Sequence, residues 1–164
     1  MLVKECKEKI LKNLLGQQYQ GMYPTVYMGL SYKAITDDAS EFAEPGPSTG
    51  YERCAIGVSS SNNMVSVMSI NGGTAYNNQM IAFGEAKSGA ENYTLKWFGL
   101  FTSADTEKDK VPFICGPLDL TPEQQEAGGV VVQAGQIAIF SKGESEQEAA
   151  FKVTVTDNSD TPNA

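Results

Sequence analysis

The sequence predicts a mainly β protein, a jelly-roll-like antiparallel β-sandwich preceded by an N-terminal amphipathic α-helix. Two observations carry this expectation. The apolar residues recur about every 3.6 positions up to Leu15, and about every 2 positions from Thr25 onward. After that switch, short alternating runs follow one another with turn residues between them and no further long helical pattern.

The helix is expected over residues 1–16. Val3, Cys6, Ile10 and Leu14 form one stripe at i, i+3/i+4 spacing, widened by Leu11 and Leu15, and Lys4, Lys7, Glu8, Lys9 and Lys12 cover the remaining face. Lys9 and Lys12 sit near the negative end of the helix dipole, and Gly16 stands where a left-handed cap is wanted. So short a helix is marginal alone in water. Its stripe must dock, either on the β-domain of its own chain or on a neighbouring protein. Val3, Cys6, Ile10, Leu11 and Leu14 are the expected interface residues.

The β-domain is expected over residues 17–156, entered through a polar connection from Gln17 to Pro24. In Thr25–Tyr32, Val26, Met28 and Leu30 alternate with Tyr27, Gly29 and Ser31. Further strands are expected at Tyr51–Val58, Met64–Ile70, Gln79–Phe83, Thr94–Thr102, Val111–Leu118, Val130–Gln133, Gln136–Ser141 and Ala150–Val155. Glu44–Pro45–Gly46–Pro47, Asn71–Gly72–Gly73, Ser88–Gly89 and Ala134–Gly135 are the turns between them. A single helical turn is expected at Thr121–Glu126, since Pro122 suits a first helical position. The run Thr94–Thr102 is apolar on both faces, with Leu95, Trp97 and Phe101 on one and Phe98 and Leu100 on the other. Both faces must therefore be covered, the second by the helix or by a partner subunit. Residues 157–164 are polar and turn-rich and read as a tail.

Composition narrows the function. The formal net charge is −8 and Arg53 is the lone arginine, so phosphate backbones and anionic lipid find little attraction. Neither nucleic-acid binding nor membrane insertion is expected: no apolar run is long enough to span a bilayer, and the N-terminal lysines are not followed by a signal-peptide core. Cys6, Cys54 and Cys115 are widely spaced and read as free thiols of a chain assembled in a reducing cytoplasm.

No catalytic or cofactor motif stands out. The chain contains 0 histidines, which removes the commonest general base and metal ligand and the usual hydrolase triads. Phosphate-binding glycine loops and the nucleophile elbow are missing. Asp37, Asp38, Glu41 and Glu44 lack the spacing of a calcium loop and read as a solvated segment. The sequon Asn92–Tyr93–Thr94 has meaning only with a secretory route. Arg53 reads as the partner of Glu44 or another loop acid, with recognition of a carboxylate or glycan as the functional alternative. Tyr76, Tyr93 and Arg53 are the candidate surface-contact residues, since tyrosines at loops and strand edges can stack on sugars or anchor interfaces. No cofactor, metal or catalytic residue is expected.

The order of features resembles a family of small phage tail-fibre and virion structural proteins. The resemblance is carried by Leu14–Leu15–Gly16, Thr25–Val26–Tyr27–Met28–Gly29–Leu30, Glu44–Pro45 and Gly50–Tyr51–Glu52–Arg53. It continues through Met80–Ile81–Ala82–Phe83, Trp97–Phe98–Gly99–Leu100–Phe101, and Val132–Gln133–Ala134–Gly135–Gln136 leading into Ile137–Ala138–Ile139–Phe140. It spans roughly residues 6 to 155, departing in the charged 103–113 loop and in an insertion at Thr121–Gly129. It implies a non-enzymatic tail fibre, head fibre or capsid decoration protein. Such a protein would be assembled in the host bacterial cytoplasm with other virion proteins, as a homo-oligomer with a trimer preferred. A carbohydrate-binding module for host glycans is the alternative.

Overall fold

A computed structural model of the chain describes residues 25–154 except 36–38, 40, 59–67, 72–73, 90 and 146. The expected N-terminal helix with Val3, Cys6, Ile10, Leu11 and Leu14, the connection to Pro24 and the 157–164 tail lie outside the described residues.

Among the described residues the chain is mainly β. Its strands are β1 (Thr25–Ser31), β2 (Cys54–Val58), β3 (Met68–Asn71), β4 (Thr74–Asn77), β5 (Ile81–Ala82) and β6 (Tyr93–Leu95). There follow β7 (Trp97–Phe101), β8 (Ile114–Pro117), the short helix α1 (Pro122–Glu126), β9 (Val130–Val132), β10 (Ile139–Phe140) and β11 (Lys152–Thr154). Thr121 caps α1 as its side chain would suggest: its hydroxyl accepts from the Gln124 N–H, and the Gln124 side chain accepts from the Thr121 N–H.

The jelly-roll expectation is overturned. A jelly roll distributes eight strands over two sheets, whereas these strands form four open sheets. One has four strands in the order β2-β1-β7-β8, one has three in the order β11-β4-β3, and β5–β10 and β6–β9 are two-stranded. All pairings are antiparallel. The longest described helix, α1, has 5 residues, and none among the described residues is long and apolar enough to cross a membrane. The resemblance to phage virion proteins with an N-terminal helix and jelly roll is therefore not supported by the fold.

The physical reason lies in two places. The run expected as one strand, Thr94–Thr102, is divided at Lys96. Before it, Leu95 pairs with Val130; after it, Trp97–Phe101 pairs with β1 on one side, and Trp97–Leu100 with β8 on the other. Lys96 itself donates its N–H to the Ser31 carbonyl and accepts from Leu118, so the chain passes directly from one sheet to the next. Likewise Ala134–Gly135 turns the chain between β9 and β10. The bonds from Phe83 N–H to Ala138 O, Ala86 N–H to Gln136 O and Gly135 N–H to Ala86 O hold that region as irregular backbone.

The main core lies where the inner face of the four-stranded sheet meets the smaller sheets. Met28, Leu30, Ile56 and Leu100 from the large sheet pack with Ile81, Leu95, Val132 and Phe151. Phe98 and Phe151 meet edge to face, with centroids 5.0 Å apart.

The doubly apolar strand is covered on its other side by the chain itself. Ile35, Ala39 and Cys115 form a second small cluster with Phe42 and Trp97. The cover expected from the helix or from a partner subunit is thus supplied, over β7, by Ile35, Ala39 and Phe42. Gly99 makes this approach feasible: a Cβ there would stand 2.7 Å from the Phe42 ring. Phe42 crosses this gap and meets Phe101 edge to face at 5.1 Å.

Candidate functional site

Among the described residues a buried polar cluster is built around Arg53. Its side chain is 0 % exposed, so it cannot serve as a surface contact. Nε donates to Glu44 Oε1 and Oε2 at 3.0 and 3.1 Å, and Nη2 donates to Oε2 at 2.6 Å. This is the fork geometry that arginine supplies and lysine does not. The remaining donors go to backbone: Nη1 to Ser103 O at 2.8 Å and Nη2 to Asp109 O at 2.6 Å. The guanidinium carbon lies 3.4 Å from the Phe101 ring centroid.

Tyr51 completes the cluster. Its hydroxyl donates to Glu44 Oε1 at 2.8 Å and accepts from the Leu30 N–H at 2.7 Å. Burial, reinforced by the Glu44 charge, holds the phenol well above the ordinary tyrosine range. Gly29 faces Glu44 and the Phe101 ring, where a Cβ would collide with both. Every group in this constellation is engaged with another part of the fold, and it ties the 103–110 loop to β2. A small cavity of about 160 Å³ beside it is lined in part by Glu44, Pro45, Thr106 and Lys110. Among the described residues no group of three acidic or sulfur side chains is placed to hold a metal. Glu41 is exposed, while Asp37 and Asp38 lie outside the described residues.

A larger groove, about 430 Å³, opens where three segments converge. The Lys96–Ser31 backbone bond brings β6 beside the end of β1 and hence beside Tyr32. The Leu95–Val130 pairing brings in the turn at Ala127–Gly128 that follows α1. Tyr32, Glu91, Asn92, Thr94, Lys96 and Gly128 line the groove. Tyr32 is 42 % exposed. Lys96 is half-buried, with its Nζ about 4.0 Å from the position a Gly128 Cβ would take. Lys108 and Lys110 pair with Asp105 and Glu107, while Lys96 forms no ion pair among the described residues.

Of the residues singled out from sequence, Tyr93 lies at this groove but is mostly buried, and burial raises its phenol above the ordinary value. Tyr76 is half-buried in the three-stranded sheet, paired with Lys152 and Ser69. Tyr93, Tyr76 and Arg53 are not brought together. Sequence reasoning missed Tyr32 and Lys96. The available signal was Lys96 itself, a lone charge inside an otherwise apolar run.

The third feature is apolar. Cross-strand partners share a face, and Ile139 pairs with Ala82 while Phe140 pairs with Ile81. Ile81 and Phe140 join the core. On the opposite face Met80, Ile137 and Ile139 remain 56, 43 and 51 % exposed. This small sheet is therefore apolar on both sides, and one side faces solvent.

No protein-family model matches the chain, and no curated protein is significantly similar to it.

Proposed function

We propose that the protein is a non-catalytic structural component of a bacteriophage particle that acts by assembly and surface contact. The observation that carries this reading is the outward row of Met80, Ile137 and Ile139 on the β5–β10 sheet. A solvent-facing apolar row on a sheet whose other face already serves the core suits a contact surface. The use of Arg53, Glu44 and Tyr51 within the fold also favours a scaffold over a reacting centre. Its partners in this reading are other particle proteins, with self-association into a trimer as the preferred form.

The test is mass spectrometry of purified virions with electron-microscopic localisation, for the natural chain and for Ile137→Asp/Ile139→Asp. The natural chain is expected at fixed copy number on the particle. The variant is expected to fold, with unchanged circular dichroism, and to be depleted from virions. A natural chain missing from virions overturns the proposal, and a folded variant incorporated at full copy number overturns the assigned surface.

A further inference from the structure

We infer that the groove between Tyr32, Lys96 and the Ala127–Gly128 turn is a binding site for an acidic saccharide, a sugar bearing carboxylate or phosphate. The groove's volume of about 430 Å³ falls within the range of small-ligand sites, roughly 300–1,000 Å³. Its chemistry is mixed in the way a pyranose requires. Tyr32 offers an exposed aromatic face, and Asn92, Thr94 and Glu91 offer amide, hydroxyl and carboxylate groups for sugar hydroxyls.

Lys96 sets the charge preference. Every other lysine among the described residues is exposed, whereas Lys96 is half-buried and forms no ion pair there. With no ion partner among the described residues, its ammonium can take an anionic group placed beside it in a charge-assisted hydrogen bond. The surrounding protein carries a net charge of −8, so this cation is not part of a general basic surface. The small residues Ala127 and Gly128 leave space over Nζ. The site is separate from the apolar β5–β10 row and does not depend on the assembly role.

Calorimetric titration of the full chain tests the inference with three probes: oligogalacturonate for carboxylate, oligo(glycerol phosphate) for phosphate, and maltohexaose as the neutral control. At least one acidic probe is expected to bind more tightly than maltohexaose, and the arm that binds identifies the acidic group. Lys96→Gln is expected to weaken that probe about tenfold or more, the loss of one charge-assisted contact. Tyr32→Ala should weaken it as well, and Ala127→Phe should block it, while Lys142→Gln, at an exposed lysine, should leave it unchanged. Failure of both acidic probes to bind overturns the assignment. So does equal loss in Lys96→Gln and Lys142→Gln, which would mark non-specific attraction.

Discussion

Arg53 and Glu44 form a buried bidentate ion pair, with Nη2 and Oε2 2.6 Å apart, and the same guanidinium holds the carbonyls of Ser103 and Asp109. One side chain thereby joins the Glu44–Pro45 loop, the approach to β2 and the 103–110 loop. A buried pair of this kind costs much more to break on one side than to replace as a whole. Arg53→Ala and Glu44→Ala are each expected to lower unfolding free energy by about 3–5 kcal/mol. The double change Glu44→Leu/Arg53→Met should cost less than either. Urea denaturation of the three variants checks this; additive losses would refute the coupling. Hydrogen exchange should also show the 103–110 amides opening more readily wherever Arg53 is replaced.

The Tyr51 phenol predicts an alkaline limit to stability. Its folded value lies well above its ordinary one, near 10. Above that value the unfolded chain releases the proton while the folded chain retains it. The unfolded state then binds fewer protons, so stability falls as pH rises, by up to about 1.4 kcal/mol per pH unit from this group. Below about pH 10 its contribution is fully present. Tyr51→Phe leaves the buried Leu30 N–H without its partner and should cost about 1–3 kcal/mol at neutral pH. Its alkaline loss should be shallower than that of the natural chain. Parallel slopes in denaturation series above pH 10 would contradict the assignment.

Asn77 is a second polar hub, 0 % exposed. Its Nδ2 donates to Gln79 O and Ser141 O at 2.9 and 2.8 Å, and its Oδ1 accepts from the Phe151 N–H at 2.9 Å. It joins the end of β4 to the segments before β11 and after β10. Asn77→Leu strands these groups, at about 1–3 kcal/mol for each left unpaired. Asn77→Asp replaces an amide donor by an acceptor that faces two carbonyls and should also be destabilising. Thermal unfolding of both variants measures the loss, and a melting temperature equal to that of the natural chain would show the hub to be dispensable.

Much of the strand content was legible because alternation is a local property. Thr25–Ser31 shows it directly, as does the helical turn started by Thr121 and Pro122. The strand β4 escaped because Thr74–Asn77 has too little apolar alternation to announce itself. The pairing Arg53–Glu44 was readable because one arginine and a nearby acid leave few choices. The groove was not, since Tyr32, Lys96 and Gly128 are far apart in sequence and meet only through backbone pairing.

The sequence by itself determined that this is a mainly β chain, acidic, without histidine, and with a strand near Trp97 that needs covering on both faces. Only the tertiary structure decided how those strands divide. The break at Lys96 sends one apolar run into two sheets, and Ile35, Ala39 and Phe42 cover β7. Side-chain alternation fixes which way a residue faces along its own strand. Which strand lies alongside, and what closes over it, depends on hydrogen bonds and packing between residues distant in the chain.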